Sequence, residues 1–306
     1  MRIGIIGRTE ILYETALQLH KQGNKIAHVI TAKEAPEYTR TSEDFCRLAE
    51  ELDVPFAHST HIENETTLIQ ESQPDIGVSL NYTGIIPQSV IDCFPLGILN
   101  AHGGDLPRYR GNACQAWAIL NGENRIGLCI HRMIGGELDS GDIIARDYFP
   151  INHTTKVTRC WEWMAERIPE LFLDAVEGLR ENPNTVIQRQ SSNPKDSLRC
   201  YPRHPEDGRI DWSQSAMDVL RLVNASNKPY AGAFCVFEGE KMTIWDAEVV
   251  EDQENFCAIP GQVTRIGEGF VEVACVEGKL KVKEIEIGGE VGTPDSWVKS
   301  IRKRFK

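Results

Sequence analysis

The sequence predicts an α/β protein: a doubly wound, mostly parallel sheet followed by a small β-rich domain. Three observations predict it. Short apolar runs alternate with amphipathic stretches through the first half of the chain; a proline-rich stretch at 181–207 breaks that pattern; and five short strand-like runs with glycine-bearing turns follow the break.

Taken in order, residues 2–7 read as a buried strand, 10–22 as a helix ended by Gly23-Asn24, and 25–31 as a second strand. Residues 43–52 repeat the helical period, and 76–80 and 97–100 read as further strands. In such a sheet, ligands bind beyond the carboxyl ends of the strands, so the site is expected there. A long helix at 156–180 follows, with Trp161, Met164, Ile168, Leu171, Phe172, Ala175 and Leu179 at helical spacing, a stripe read as core. The stretch 181–207, with prolines at 183, 194, 202 and 205, reads as a linker crossing the surface. Then come a short helix at 214–223 and strands at 233–238, 242–250, 261–266, 270–276 and 280–287, which suit a small barrel of the oligonucleotide/oligosaccharide-binding (OB) type. The expected division is a catalytic domain at 1–180, a linker at 181–207 and an OB-like domain at 208–306.

Composition narrows the function. No window approaches the ~20 consecutive apolar residues of a membrane span, and Met1-Arg2 runs directly into a strand without a signal-peptide layout, so a cytoplasmic protein with no membrane partner is expected. The nine cysteines lie at 46, 93, 114, 129, 160, 200, 235, 257 and 275 with no Cys-x-x-Cys pair, which predicts free, mostly buried thiols and no metal site. After Gly4, a dinucleotide fingerprint needs glycine two and five residues on; the chain has Ile6 and Thr9, so no nicotinamide cofactor is expected. The balance of 33 Lys plus Arg against 45 Asp plus Glu, net −12, argues against nucleic acid as a partner. The basic tail of Lys299, Arg302, Lys303, Arg304 and Lys306 reads as a solvated helix end.

Chemistry concentrates between residues 97 and 142. The strand end Asn100-Ala101-His102 delivers an amide and an imidazole to one side of a pleated chain, and the glycine-flanked loop Gly135-Gly136-Glu137-Leu138-Asp139-Ser140-Gly141-Asp142 offers carboxylates. This set suits addition to a carbonyl. The amide can donate to a developing oxyanion, the imidazole can do so or move a proton, and the carboxylate can orient or charge the imidazole. His131, His153 and Asp142 have no such motif around them and are read as structural.

The Asn100-Ala101-His102 triplet, Leu106-Pro107-Arg108-Tyr109-Arg110-Gly111, the helix bearing Gln115, Ala116 and Trp117, and Leu138-Asp139-Ser140-Gly141-Asp142 resemble, in order and spacing, the signatures of N10-formyltetrahydrofolate-dependent formyltransferases. Pro202-Arg203, Asp207-Gly208-Arg209-Ile210-Asp211-Trp212 and Pro229-Tyr230-Ala231-Gly232-Ala233-Phe234 resemble the second domain of the members that act on nucleotide-linked amino sugars or on methionyl-tRNA. The resemblance implies N10-formyltetrahydrofolate as co-substrate and catalytic roles for Asn100, His102 and Asp139, with His102 either the general base or an electrostatic stabiliser. It also implies a folate site built from the stretch Asn81–Pro87, in which Tyr82, Ile85, Ile86 and Pro87 are the candidates, and from a facing loop with Gly135, Leu138 and Asp139. The acceptor expected is a UDP- or dTDP-linked amino-dideoxy sugar destined for surface polysaccharide, contacted by Arg8, Thr9, Arg108 and Tyr109; a homodimer is compatible with that reading. The loop after the second strand pairs only Lys33 and Arg40 with Glu34, Glu37, Glu43 and Asp44, which weighs against a tRNA acceptor. A methionyl-tRNA formyltransferase and a non-catalytic folate or nucleotide-sugar binding module are the alternatives.

Overall fold

A computed structural model describes every residue except 37, 252 and 253; Glu37 of the loop weighed above therefore lies outside the described residues. By packing, the chain forms two units. The first comprises 1–111, 127–148 and 163–199, and the second 112–126, 149–162 and 200–306.

The first unit begins with β1 (Arg2–Gly7), α1 (Glu10–Lys21) and β2 (Lys25–Thr31), then α2 (Ser42–Glu51), β3 (Phe56–His58), α3 (Thr66–Ser72) and β4 (Ile76–Leu80). It continues through α4 (Gln88–Ile91), β5 (Ile98–His102) and the short β6 (Tyr109–Gly111). After α5 (Cys114–Leu120), which belongs to the second unit, come β7 (Arg125–Arg132), β8 (Ile143–Pro150) and the long α6 (Val157–Glu181), of which residues 127–132, 143–148 and 163–181 lie in the first unit. The sheet order is β3-β2-β1-β4-β5-β7-β8. Pairing is parallel from β3 to β5, and β7 runs antiparallel to β5. The central strands are apolar without alternation because both faces are covered; Ile3, Ile5, Ile6, Val78, Ile98 and Leu99 are all buried. Capping fixes where helices begin. The Thr9 hydroxyl accepts from Leu12 N at the start of α1, and Thr41 and Asp44 form a reciprocal box at the start of α2.

The second unit contains β9 (Leu198–Cys200) from its Cys200 onward, α7 (Ala216–Ala225), β10 (Ala233–Phe237), β11 (Glu240–Val249), β12 (Val263–Gly267), β13 (Phe270–Ala274), β14 (Lys279–Ile287) and β15 (Glu290–Gly292). Its antiparallel sheet runs β10-β11-β14-β13-β12, with β15 added on β14. The outer strands β10 and β12 are joined through the last residues of the chain. Val236 and Lys306 exchange backbone hydrogen bonds, Phe305 N donates to Gly261 O, and Val263 N donates to Lys303 O. This corrects the expectation for the basic tail, which makes a turn at 301–302 and a bridge at Arg304 and is not a helix end.

One further sequence expectation meets a different outcome, and the expectation of free, mostly buried thiols is met. The stretch 181–207 is not merely a surface crossing: Ile143 and Gln188 form a bridge, and Gln190 reaches the loop after β7. All nine cysteines are unbridged, and six of them are buried. No described helix is long and apolar enough to cross a membrane.

Candidate active site

The site grows from a strand pair. In the β5–β7 ladder Asn100 stands opposite His131, and His102 opposite Cys129, so two polar pairs spaced two residues apart share one region of the sheet. The loop between β7 and β8 then returns Asp139 to the same place. Asp139 Oδ2 lies 3.5 Å from His102 Nδ1, and Oδ1 lies 3.6 Å from His131 Nε2. Asn100, His102 and Asp139, chosen from sequence, are thus brought together, and His131 joins them.

His131 is the residue that sequence reasoning missed. It is only 2% exposed. Its Nδ1 lies 2.9 Å from Arg132 O, which can only accept, so Nδ1 carries the proton and Nε2 has the lone pair. Asn100 Nδ2 donates to that lone pair at 3.3 Å, which fixes the direction of the amide. The signal available in the sequence was the matching period: Asn100 and His102 on one strand, Cys129 and His131 on the next.

The same reasoning sets the tautomer of His102. Its Nε2 lies 2.6 Å from the carbonyl of Tyr109, so the proton is on Nε2 and the lone pair on Nδ1, towards Asp139. Burial pushes the imidazole pKa below its ordinary 6.5 against the opposing pull of Asp139 and the Tyr109 carbonyl. For Asp139, burial acts upward, but the pull of His102 and His131 and the N–H of Gly111 together bring the carboxyl down to about 2. The result is a buried imidazole whose pKa lies below its ordinary value, beside a carboxyl brought down to about 2. Asp139 holds a left-handed backbone, φ 48°, costly for a residue with a Cβ. It is retained by Gly111 N, which donates to its Oδ2 at 2.9 Å, and by Gln190 Nε2, which donates to the carbonyls of Asp139 and Gly141.

The folate candidates lie on two loops that touch. Gly135 N donates to Gln88 Oε1 at 2.9 Å, and a Cβ at Gly135 would stand 2.3 Å from Gln88 N, so only glycine allows this approach. Around that contact Ile85 is 81% exposed and Leu138 41% exposed, apolar side chains left open, with Ile134 nearby in sequence similarly exposed. Ile86 is buried, and its side chain packs with Tyr82 and Val90. The Tyr82 hydroxyl donates to Ser59 O, and burial is the chief cause that raises its pKa to about 12. Pro87 opens α4 in extended conformation.

The acceptor candidates divide. Arg8 ties strand ends together, Nε donating to Asn81 O and Nη1 to Lys33 O, both at 2.8 Å, with its guanidinium over the Tyr38 ring. Arg108 is exposed and stacks on Tyr109 at 5.3 Å. Thr9 and Tyr109 are buried, the first engaged as a helix cap and the second offering its carbonyl to His102, so neither side chain is presented to an acceptor.

Comparison with known proteins gives matches along nearly the whole chain. The family described as formyl transferase matches residues 1–176, and the formyl transferase C-terminal domain matches 203–302. The methionyl-tRNA formyltransferase of Acetivibrio thermocellus is 29% identical over 296 residues, covering 94% of this chain and 92% of the relative. That of Desulfotalea psychrophila is 28% identical over 295 residues, covering 95% and 89%. Among solved structures, WlaRD, described as a sugar 3N-formyl transferase in the presence of dTDP and 5-N-formyl-THF, superposes with a TM-score of 0.68 at 16% identity, covering 95% of this chain and 98% of that one. An N-formyltransferase from Helicobacter canadensis, in complex with folinic acid and dTDP-3-aminofucose, gives 0.67 at 15%, covering 92% and 99%. HypX from Aquifex aeolicus with tetrahydrofolic acid gives 0.60 at 19%, covering 98% of this chain but 47% of HypX, so the chain spans about half of that protein's length. At these identities the structural likeness is one of fold.

Proposed function

Because this chain belongs to the formyl transferase family, we propose that it transfers the formyl group of N10-formyltetrahydrofolate to the amine of a nucleotide-linked amino-dideoxy sugar, in the cytoplasm. The observation that carries the chemistry is the placement of His102, with Nε2 2.6 Å from Tyr109 O and Nδ1 3.5 Å from Asp139 Oδ2.

The neutral acceptor amine attacks the formyl carbon, and the carbonyl π pair moves onto oxygen. Asn100 Nδ2 has a second N–H besides the one given to His131, and it donates to that oxygen. The proton of the new ammonium passes to His102 Nδ1, and Asp139 stabilises the imidazolium. The oxygen lone pair then re-forms the carbonyl as the bond from carbon to N10 breaks, and His102 returns the proton to N10. No net proton is gained or lost. The exposed Ile85 and Leu138 suit the flat face of a pterin, and the backbone beside Gln88 and Gly135 suits its polar edge.

For the acceptor, charge supports a small ligand. The net −12 opposes a polyanion, and the loop after β2 has its Arg40 stacked on Tyr13 at 4.4 Å and 3.6 Å from Asp44. Methionyl-tRNA is the second reading, favoured by the identity to the two methionyl-tRNA formyltransferases. The test is a panel of UDP- and dTDP-linked amino sugars and initiator methionyl-tRNA, each with N10-formyltetrahydrofolate, read by mass. Gain of a formyl group on an amino sugar is the expected result. Formylation of the tRNA alone, with binding that weakens steeply with salt, overturns the sugar assignment.

A further inference from the structure

His102 Nε2 lies 2.6 Å from the backbone carbonyl of Tyr109, carried on the turn 103–111 that doubles back over the imidazole. The turn is packed tightly: a Cβ on Gly104 would lie 2.2 Å from Tyr109 O and 2.6 Å from His102 Nε2. The last residues of this turn form β6, which pairs with β9, and Leu198 N donates to Arg108 O; at Gly104 and Leu106 side chains add to that hold.

Those side chains converge from behind. Cys129, opposite His102 in the ladder, donates its thiol to Gly104 O at 3.4 Å. Arg146, on β8, donates Nε to Cys129 Sγ at 3.3 Å and Nη2 to Leu106 O at 2.5 Å. Its Nη1 donates to Gln188 Oε1 at 2.8 Å and to Tyr148 OH at 3.2 Å, and Asp105 stands 4.0 Å away. Leu106 and Cys129 are themselves buried together with Ile143. The turn is thus held at Gly104 O and Leu106 O from one side, and at Gly111 N by Asp139 from the other. Tyr109 O lies between these fixed points.

We propose that Arg146 is a positioning residue for His102, setting the imidazole tautomer by holding the turn that carries the Tyr109 carbonyl. A guanidinium suits the task because its planar fork directs several donors at once in fixed directions, whereas a lysine ammonium is a single point. Arg146 touches no reacting atom; its effect on rate comes through the placement of Tyr109 O. The sequence places it in no motif. Only the rate arm of the inference rests on the formyl-transfer reading above.

The test uses the intact protein labelled with 15N-histidine, with no formyl donor or acceptor, at about pH 8, where an imidazole is neutral. His102 is assigned by the resonances lost in His102→Gln. The wild type is expected to show one tautomer, Nε2–H. In Arg146→Met the signal should move to a mixture of tautomers, and Arg146→Lys should lie between. Where the reaction can be followed, kcat should fall about tenfold or more with little change in KM for the formyl donor, because the loss is one of alignment. If Arg146→Met does not fold, the lysine variant decides. A single Nε2–H tautomer in every folded variant overturns the proposal. A failed search for the acceptor leaves this measurement intact, so the two ideas fail separately.

Discussion

Asp139 touches His102, His131 and Gly111 at once, and its charge acts on the imidazole against burial. Removing that charge while keeping the shape separates the two influences. In the wild type, His102 is held below 6.5, so a base role requires activity to fall only as pH drops below that value. In Asp139→Asn the upward pull is gone and burial remains. The acid limb of kcat should therefore move to lower pH, while kcat itself drops by about 10²–10⁴-fold, the range of general acid–base contributions. An acid limb that stays in place or moves to higher pH would remove the pairing from the mechanism. Asn100, His102 and Asp139 were legible because each sits inside an extended motif. His131 was not, since its place beside Asn100 follows from strand register, and register depends on how two distant segments pair.

At the scale of elements, most strands and the long α6 follow from local pattern, and the closing tail does not. The run of cations from Lys299 to Lys306 suggested a solvated helix end, positive charge favouring the negative end of the dipole. The actual conformation is set by what the segment meets. Phe305 is buried against Trp212 and Phe237, ring centroids 5.8 and 5.5 Å away, and the backbone on either side pairs with β10 and β12. Tertiary packing has decided the conformation, not the charge pattern. Phe305→Ala should lower unfolding stability by about 3–5 kcal/mol, measured by urea titration with tryptophan fluorescence. A loss under about 1 kcal/mol would show that the closure adds little. Gln190 teaches the same lesson in the stretch read as a linker: low apolar content marked it as surface, yet an amide side chain is what two loop carbonyls required.

For the whole molecule, one source of acid sensitivity is a histidine outside the candidate site. His28, fully buried on β2, donates Nδ1–H to Ser72 Oγ, which itself donates to Ile69 O, and its Nε2 faces Gly4 without a hydrogen-bond partner. Burial lowers its pKa from 6.5 to about 4. Between those values the unfolded chain binds the proton and the folded one does not, so the stability of the neutral form is complete above 6.5 and is lost as pH falls towards 4. The loss reaches about 3 kcal/mol. Urea titrations at about pH 7 and about pH 4.5 should show a larger drop for the wild type than for His28→Leu, which has no proton to bind. Equal drops would mean that His28 is not the source.

The two packed units also differ in how they use the chain. Segments 112–126 and 149–162 belong with the β-rich unit although they are flanked by the sheet unit on both sides. Composition along the sequence marks neither, because each continues an ordinary helix or strand. A gene cut after residue 199 would therefore separate the β-rich unit from two of its own pieces. Recombination between relatives at that point would join the β-rich unit of one to the pieces at 112–126 and 149–162 of the other.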